Sequence, residues 1–181
     1  MSHDAIRFPQ LAIKTVIVHT VTYVAVGILA QSLLHYATLY ARPDMAGLMR
    51  QTSDPMVMAG PLFQPIRGLV FALVIYPLRE MLLEHRHGWL LLWWLLVALG
   101  ILSTFGPAPG SIEGLVYTHI SVPHQLLGLP EVVVQALLLA SGVAYWIHHP
   151  EKRWLTWVMA VAFVLAVALP LAGLLARSHG A

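Results

Sequence analysis

Residues 89–106 read WLLLWWLLVALGILSTFG, eighteen positions without one charged side chain. A helix on the surface of a soluble domain keeps a polar face toward water and confines its apolar residues to one stripe. No such face can be drawn here. About 20 apolar residues carry an α-helix across a ~30 Å hydrocarbon layer, where the backbone must satisfy its own hydrogen bonds. The stretch predicts a transmembrane helix, and with it a chain whose solvent is lipid.

Composition agrees. Of 181 residues, 59% are hydrophobic and 10% charged, with a mean hydropathy of +0.76. Soluble domains carry roughly 25% charged residues, and a chain this poor in charge cannot coat a water-facing globule of its size. The net charge is +2, and the ten Lys and Arg residues are scattered, which argues against a nucleic-acid-binding face. There is no cysteine, so disulfides, thiolate metal sites and cysteine nucleophiles are excluded.

Working outward, Glu84-His85-Arg86-His87-Gly88 is a tight turn before the stretch. It pairs 89–106 in a helical hairpin with a second segment at 62–83. The uninterrupted apolar core of that segment, Gly68–Leu78, is too short to span alone. It crosses only if Arg67 and Arg79 reach opposite interfaces or are paired, and Pro77 should kink its end. After the stretch, Pro107, Pro109 and Gly110 end the helix, and Ser111 is placed to cap a short one. Residues 107–129 read as two broken helices forming an interfacial or re-entrant element. Such backbone survives at membrane depth only when buried in protein or lining a wet cavity.

Further spans follow at 130–147 and 154–176, and a first one lies at 11–40. The first is the most polar, with Lys14, His19, Gln31 and His35; it reads as a retained helix rather than a cleaved signal, since no small-x-small site follows it. That polarity predicts a face turned toward other helices. The linker 42–61 should fold onto the membrane surface through its methionines. Ala136, Ala140 and Ala144 in one late span, and Ala162, Ala166, Ala168, Ala172 and Ala176 in the other, place small side chains at four-residue spacings. That pattern lets helices approach closely, within the chain, in a homo-oligomer or against a partner in a membrane complex. The expected fold class is all-α: one polytopic membrane bundle of about five transmembrane helices, with a broken element between the third and fourth.

With the N-terminus inside, Arg7, Lys14, Arg79, Arg86, Lys152 and Arg153 fall inside and Arg42, Arg50, Arg67 and Arg177 outside. This favours a cytoplasmic N-terminus in the cell membrane. The six tryptophans gather toward the inner interface.

Chemistry is expected on the outer side, where Gln64 and Arg67 open the second segment and Glu113, Tyr117, His119 and His124 lie in the broken element. Arg67 and Glu113 are the charges within the apolar parts of their stretches, so they are expected to pair. The ten histidines include no His-Glu-x-x-His or His-x-x-x-His pair, and no metal ligand set is assigned. No Asp is seen near His119 or His124 to orient a catalytic histidine. His19 reads as a neutral, buried histidine bonded to a neighbouring helix. The leading functional expectation is a protein that binds or carries a small molecule or lipid at an outward-facing polar site. The alternatives are a structural or accessory subunit of a membrane complex, and a membrane enzyme with a histidine-based metal site.

Overall fold

The computed structural model describes residues 6–179, which form helices and connecting turns, with no strand among them. Four helices are long and apolar enough to cross a membrane: Phe8–Leu34, Gly60–Leu78, Val122–His148 and Arg153–Ser178. By length and composition this is a helical-bundle membrane protein.

Helix α1 (Phe8–Leu34) is the axis of the bundle. It packs against α4 (Gly60–Ile75), α8 (Leu129–His148) and α9 (Arg153–His179), while α5 (Gly88–Val97) lies along α8. The most polar span is also the most enclosed: 44% of the α1 window is buried, against 6% for α9. The expectation that its polar face turns inward holds for Lys14 and His19, which are buried, and fails for Gln31 and His35, which are exposed. Lys14 shows why this is tolerable, because its Nζ donates to the Trp146 carbonyl at 2.7 Å, in the last turn of α8, where unpaired carbonyls and the helix dipole favour a cation.

Several boundaries differ from those read in the sequence. The first segment does not run unbroken to residue 40. His35 adopts a left-handed conformation (φ 48°) and separates α1 from the short α2 (Tyr36–Tyr40). The second helix begins earlier than 62, since Asp54 caps α3 (Pro55–Met58) and Pro61 is tolerated at the start of α4. Beyond α4, Pro77 sits in a 3-10 turn (Tyr76–Leu78), and a π-helical turn (Glu80–Glu84) leads into the hairpin. The deciding stretch is shorter than expected. The apolar helix there is Gly88–Leu102, fifteen residues and about 22 Å long. It ends because the Ser103 amide and hydroxyl both bond the Ala98 carbonyl, at 3.0 and 2.5 Å, closing a π-helical turn (Ala98–Leu102).

The segment after it does contain two short helices, α6 (Ile112–Tyr117) and α7 (Val122–Leu127). Only Gly128 separates α7 from α8, so the late span starts near 122 rather than 130. The chain thus has two ends. The hairpin end carries Phe8, the turn 84–88 and the turn 149–152. The loop end carries the linker 41–59 and the segment 103–121. The apolar core, including Leu11, Leu82, Leu83, Leu92, Val143 and Trp146, fills the hairpin half.

The small-residue faces divide. Ala136, Ala140 and Ala144 are buried inside the bundle, so this face of α8 is used internally. On α9 only Ala166 is buried, and Ala168, Ala172 and Ala176 stay exposed.

Candidate functional site

The loop half of the bundle is not packed solid. A cavity of about 250 Å³ opens there, with α1, α4, α8 and the end of α5 contributing its walls. Its polar lining is His19 and Tyr23 from α1, Arg67 from α4, Glu131 and Gln135 from α8, and Thr104 after α5. Phe71, Leu96, Ile101 and Leu139 supply apolar surface.

His19 is 1% exposed. Its Nε2 lies 3.1 Å from Gln64 Oε1, while the Gln64 amide group donates to the Gly60 carbonyl at 3.0 Å. Because Gln64 Nε2 is committed to a carbonyl, its oxygen faces His19, so His19 Nε2 carries the proton. Nδ1 is then a bare acceptor, and it is buried without a partner. The His19 ring also meets Phe71 edge-on at 4.9 Å. The expectation of a buried histidine bonded across to another helix holds; its place in the wall of a cavity is new.

Arg67 lines the cavity while remaining exposed. Its guanidinium lies over the Phe71 ring at 5.5 Å, a cation–π contact. The expected partner is wrong: among the described residues Arg67 and Glu113 form no ion pair. The acid that shares a site with Arg67 is Glu131. It is half-buried, hydrogen-bonded to the Tyr36 hydroxyl, and approaches Gly27 on α1. In the first turn of a helix starting at 130, as in that of α8, a carboxylate is unremarkable. Counted together with α7 as one candidate span from Val122, the same residue lies about 13 Å from the start. The signal was Ser121-Val122-Pro123, a cap residue with proline just inside the helix.

The remaining expected site residues lie elsewhere. Tyr117 and His119 are exposed and Glu113 is half-buried, in and just after α6. His124 belongs to a separate cluster in which Asp44, from the linker, approaches His124 Nδ1 at 2.7 Å and Ser121 Oγ approaches the same nitrogen at 2.6 Å. The sequence around His124 holds no Asp; the fold supplies one from 80 positions away. Yet Asp44 and Ser121 share one ring nitrogen. A nucleophilic triad needs serine and carboxylate on opposite nitrogens, so this cluster anchors the linker to α7 rather than activating a hydroxyl. Desolvation pushes the Asp44 carboxyl up. The hydrogen bond and, once protonated, the charge of His124, together with the Asp44 backbone amide and the Arg42 guanidinium, outweigh it, and the net shift is downward.

Among the described residues no group of three His, Asp or Glu side chains is arranged to hold a metal ion. No family model, curated protein or solved structure matches the chain.

Proposed function

We propose that the protein is a multi-pass protein of the cell membrane, with a cytoplasmic N-terminus, that binds or carries a small molecule in the cavity of its loop half. The observation that carries this reading is that Arg67 of α4 and Glu131 of α8 line one cavity without an ion pair between them. Charges held in a span are costly unless they find partners, and a ligand with an acceptor at one end and a donor at the other would satisfy both. At about 250 Å³ the cavity falls below the ~300–1,000 Å³ typical of drug-sized ligands. It suits a small metabolite or the head of a lipid.

On this reading Gly88–Leu102 is a fifth, short crossing supported along α8, and residues 107–121 form an element at the outer interface above the cavity. The lysine and arginine distribution supports the orientation.

The test is to identify what co-purifies. Gly100 lines the cavity, and a Cβ there meets nothing within 4 Å, so Gly100→Phe fills the space without a backbone clash. Wild-type protein in mild detergent should release a small molecule on denaturation that is lost from Gly100→Phe and reduced in Arg67→Gln. Identical extracts from all three proteins would sink the binding reading. A stoichiometric protein partner, with no small molecule, would replace it with the accessory-subunit reading.

A further inference from the structure

The geometry points to a second binding site, at the hairpin end, for the phosphate of an anionic phospholipid. It rests on the membrane-spanning character of the helices and not on the cavity proposed above.

A pocket of about 630 Å³ lies between the turn at 85–86, the start of α5 and the last two turns of α8. Its ionisable lining is basic in type: His85, Arg86, His148 and His149. Glu84 and Glu151, the nearest acids in sequence, do not line it. Arg86 is exposed and, among the described residues, makes no ion pair. A free guanidinium presents a planar fork of donors suited to phosphate oxygens.

The two histidines of α8 are set in orientation. His148 Nδ1 lies 2.7 Å from the Ala144 carbonyl, and His149 Nδ1 lies 2.8 Å from the Tyr145 carbonyl. A carbonyl only accepts, so each Nδ1 carries the hydrogen. The opposite nitrogen, Nε2, is an acceptor in the neutral ring and donates to a phosphate oxygen only when the ring is protonated. His149 also stacks on Tyr145 at 4.2 Å, and Lys152 Nζ donates to the Tyr145 hydroxyl at 2.5 Å. Another cation therefore flanks the pocket. Trp89 in its wall is the kind of residue that settles at headgroup level.

Depth selects the source of the phosphate. From His149 the pocket runs down α8 to Ser141 and Gly142, about 10 Å along the helix, over a floor of small residues. A soluble phosphate ion has no use for that floor. A phospholipid does, because its glycerol and first acyl carbons continue inward from the phosphate. Basic pockets between helices on the cytoplasmic side are where anionic headgroups dock.

The test is native mass spectrometry of the full chain from mixed micelles with equal phosphatidylglycerol and phosphatidylcholine. Wild type should retain phosphatidylglycerol in about fivefold excess, the ratio expected from one basic side chain near an anionic headgroup. Arg86→Gln, at an exposed position, should keep its melting temperature and lose the excess. Ser141→Phe should block the inner floor and reduce lipid retention, while Arg50→Gln, at the loop end, should change nothing. Equal retention of the two lipids by wild type would overturn the site, as would an excess that survives Arg86→Gln. Displacement of the lipid by millimolar inorganic phosphate would also overturn it, by showing a site for the free anion.

Discussion

His19 and Gln64 join α1 to α4 through one hydrogen bond of 3.1 Å between side chains that are 1% and 7% exposed. Gln64 is held in turn by the Gly60 carbonyl, so its orientation is set before the histidine arrives. Removing either partner strands the other in a place where water does not compensate it. Gln64→Leu should cost about 1–3 kcal/mol, the penalty for a buried donor left unpaired. The double variant His19→Leu, Gln64→Leu should recover part of that loss, because neither polar group remains. Melting temperatures of the four proteins in one detergent form the cycle; a double variant no better than the worse single one would show that the bond matters less than the packing.

One helical turn beyond that bond α1 and α4 also approach closely. A Cβ built on Gly68 falls 2.8 Å from the Val16 Cα, a backbone atom that cannot rotate away. On the other flank of α1, a Cβ on Gly142 meets the Val18 Cγ1 at 3.0 Å, a side-chain atom. Gly68→Ala should therefore separate the helices and cost about 1–3 kcal/mol, as overpacking does, while Gly142→Ala should cost less. Thermal unfolding of the two variants checks the order. Equal losses would mean that α1 shifts as easily against one neighbour as the other.

Much of this was legible in the sequence, and the limits were physical. Absence of charge over 89–106 marks an apolar helix, which the structure has at Gly88–Leu102, shorter than the four helices long enough to cross a membrane. Where that helix ends is different. It stops at Ser103, where a side chain bonds back to the Ala98 carbonyl, and hydropathy carries no trace of that event. Gln64 and Arg67 were legible as polar groups too deep for their surroundings. The groups that meet them were not, since His19 reaches Gln64 and Glu131 reaches the cavity, as Asp44 reaches His124, through tertiary packing across tens of residues. A charge in a span says that it needs a partner but not which one.

Acid should loosen the loop end first. The Asp44 carboxyl is held below its ordinary value, as described above. Asp54 is held below it by the Met56 backbone N–H at 2.8 Å, and then by Arg50. A carboxyl with a depressed folded-state value adds stability above its unfolded value, and that stability disappears as pH falls through the folded value. The melting temperature should hold down to about pH 4, near the unfolded aspartate value, and then decline. Asp44→Asn with Asp54→Asn should start lower at neutral pH and decline less steeply below that point. Parallel curves would place the acid-sensitive groups elsewhere.

Gln125 should be the residue on which the irregular segment 107–121 depends. It is 1% exposed, accepts from the Gly110 amide at 3.1 Å, and donates toward the carbonyls of Gly114 and Ile120 at 2.9 and 3.2 Å. One side chain thus ties the turn at Gly110 to the last turn of α6 and to Ile120 beyond it, which helps irregular backbone persist away from water. The segment is shaped to receive it. Gly110 adopts φ 85°, and a Cβ on Gly114 would sit 2.0 Å from the Ala108 carbonyl oxygen. Gln125→Leu keeps the volume and removes every one of these bonds, so amide hydrogen exchange across 107–121 should rise by at least tenfold, the equivalent of about 1.4 kcal/mol of local stability. Exchange in the hairpin halves of α1 and α8 should hardly change, because the apolar core packs them there. Gln125→Glu keeps the acceptor for Gly110 but turns the donor toward Gly114 and Ile120 into a carboxylate facing two carbonyls, and should be as disruptive. Protection across 107–121 that survives both substitutions would mean that the segment is held by its own packing and not by this side chain.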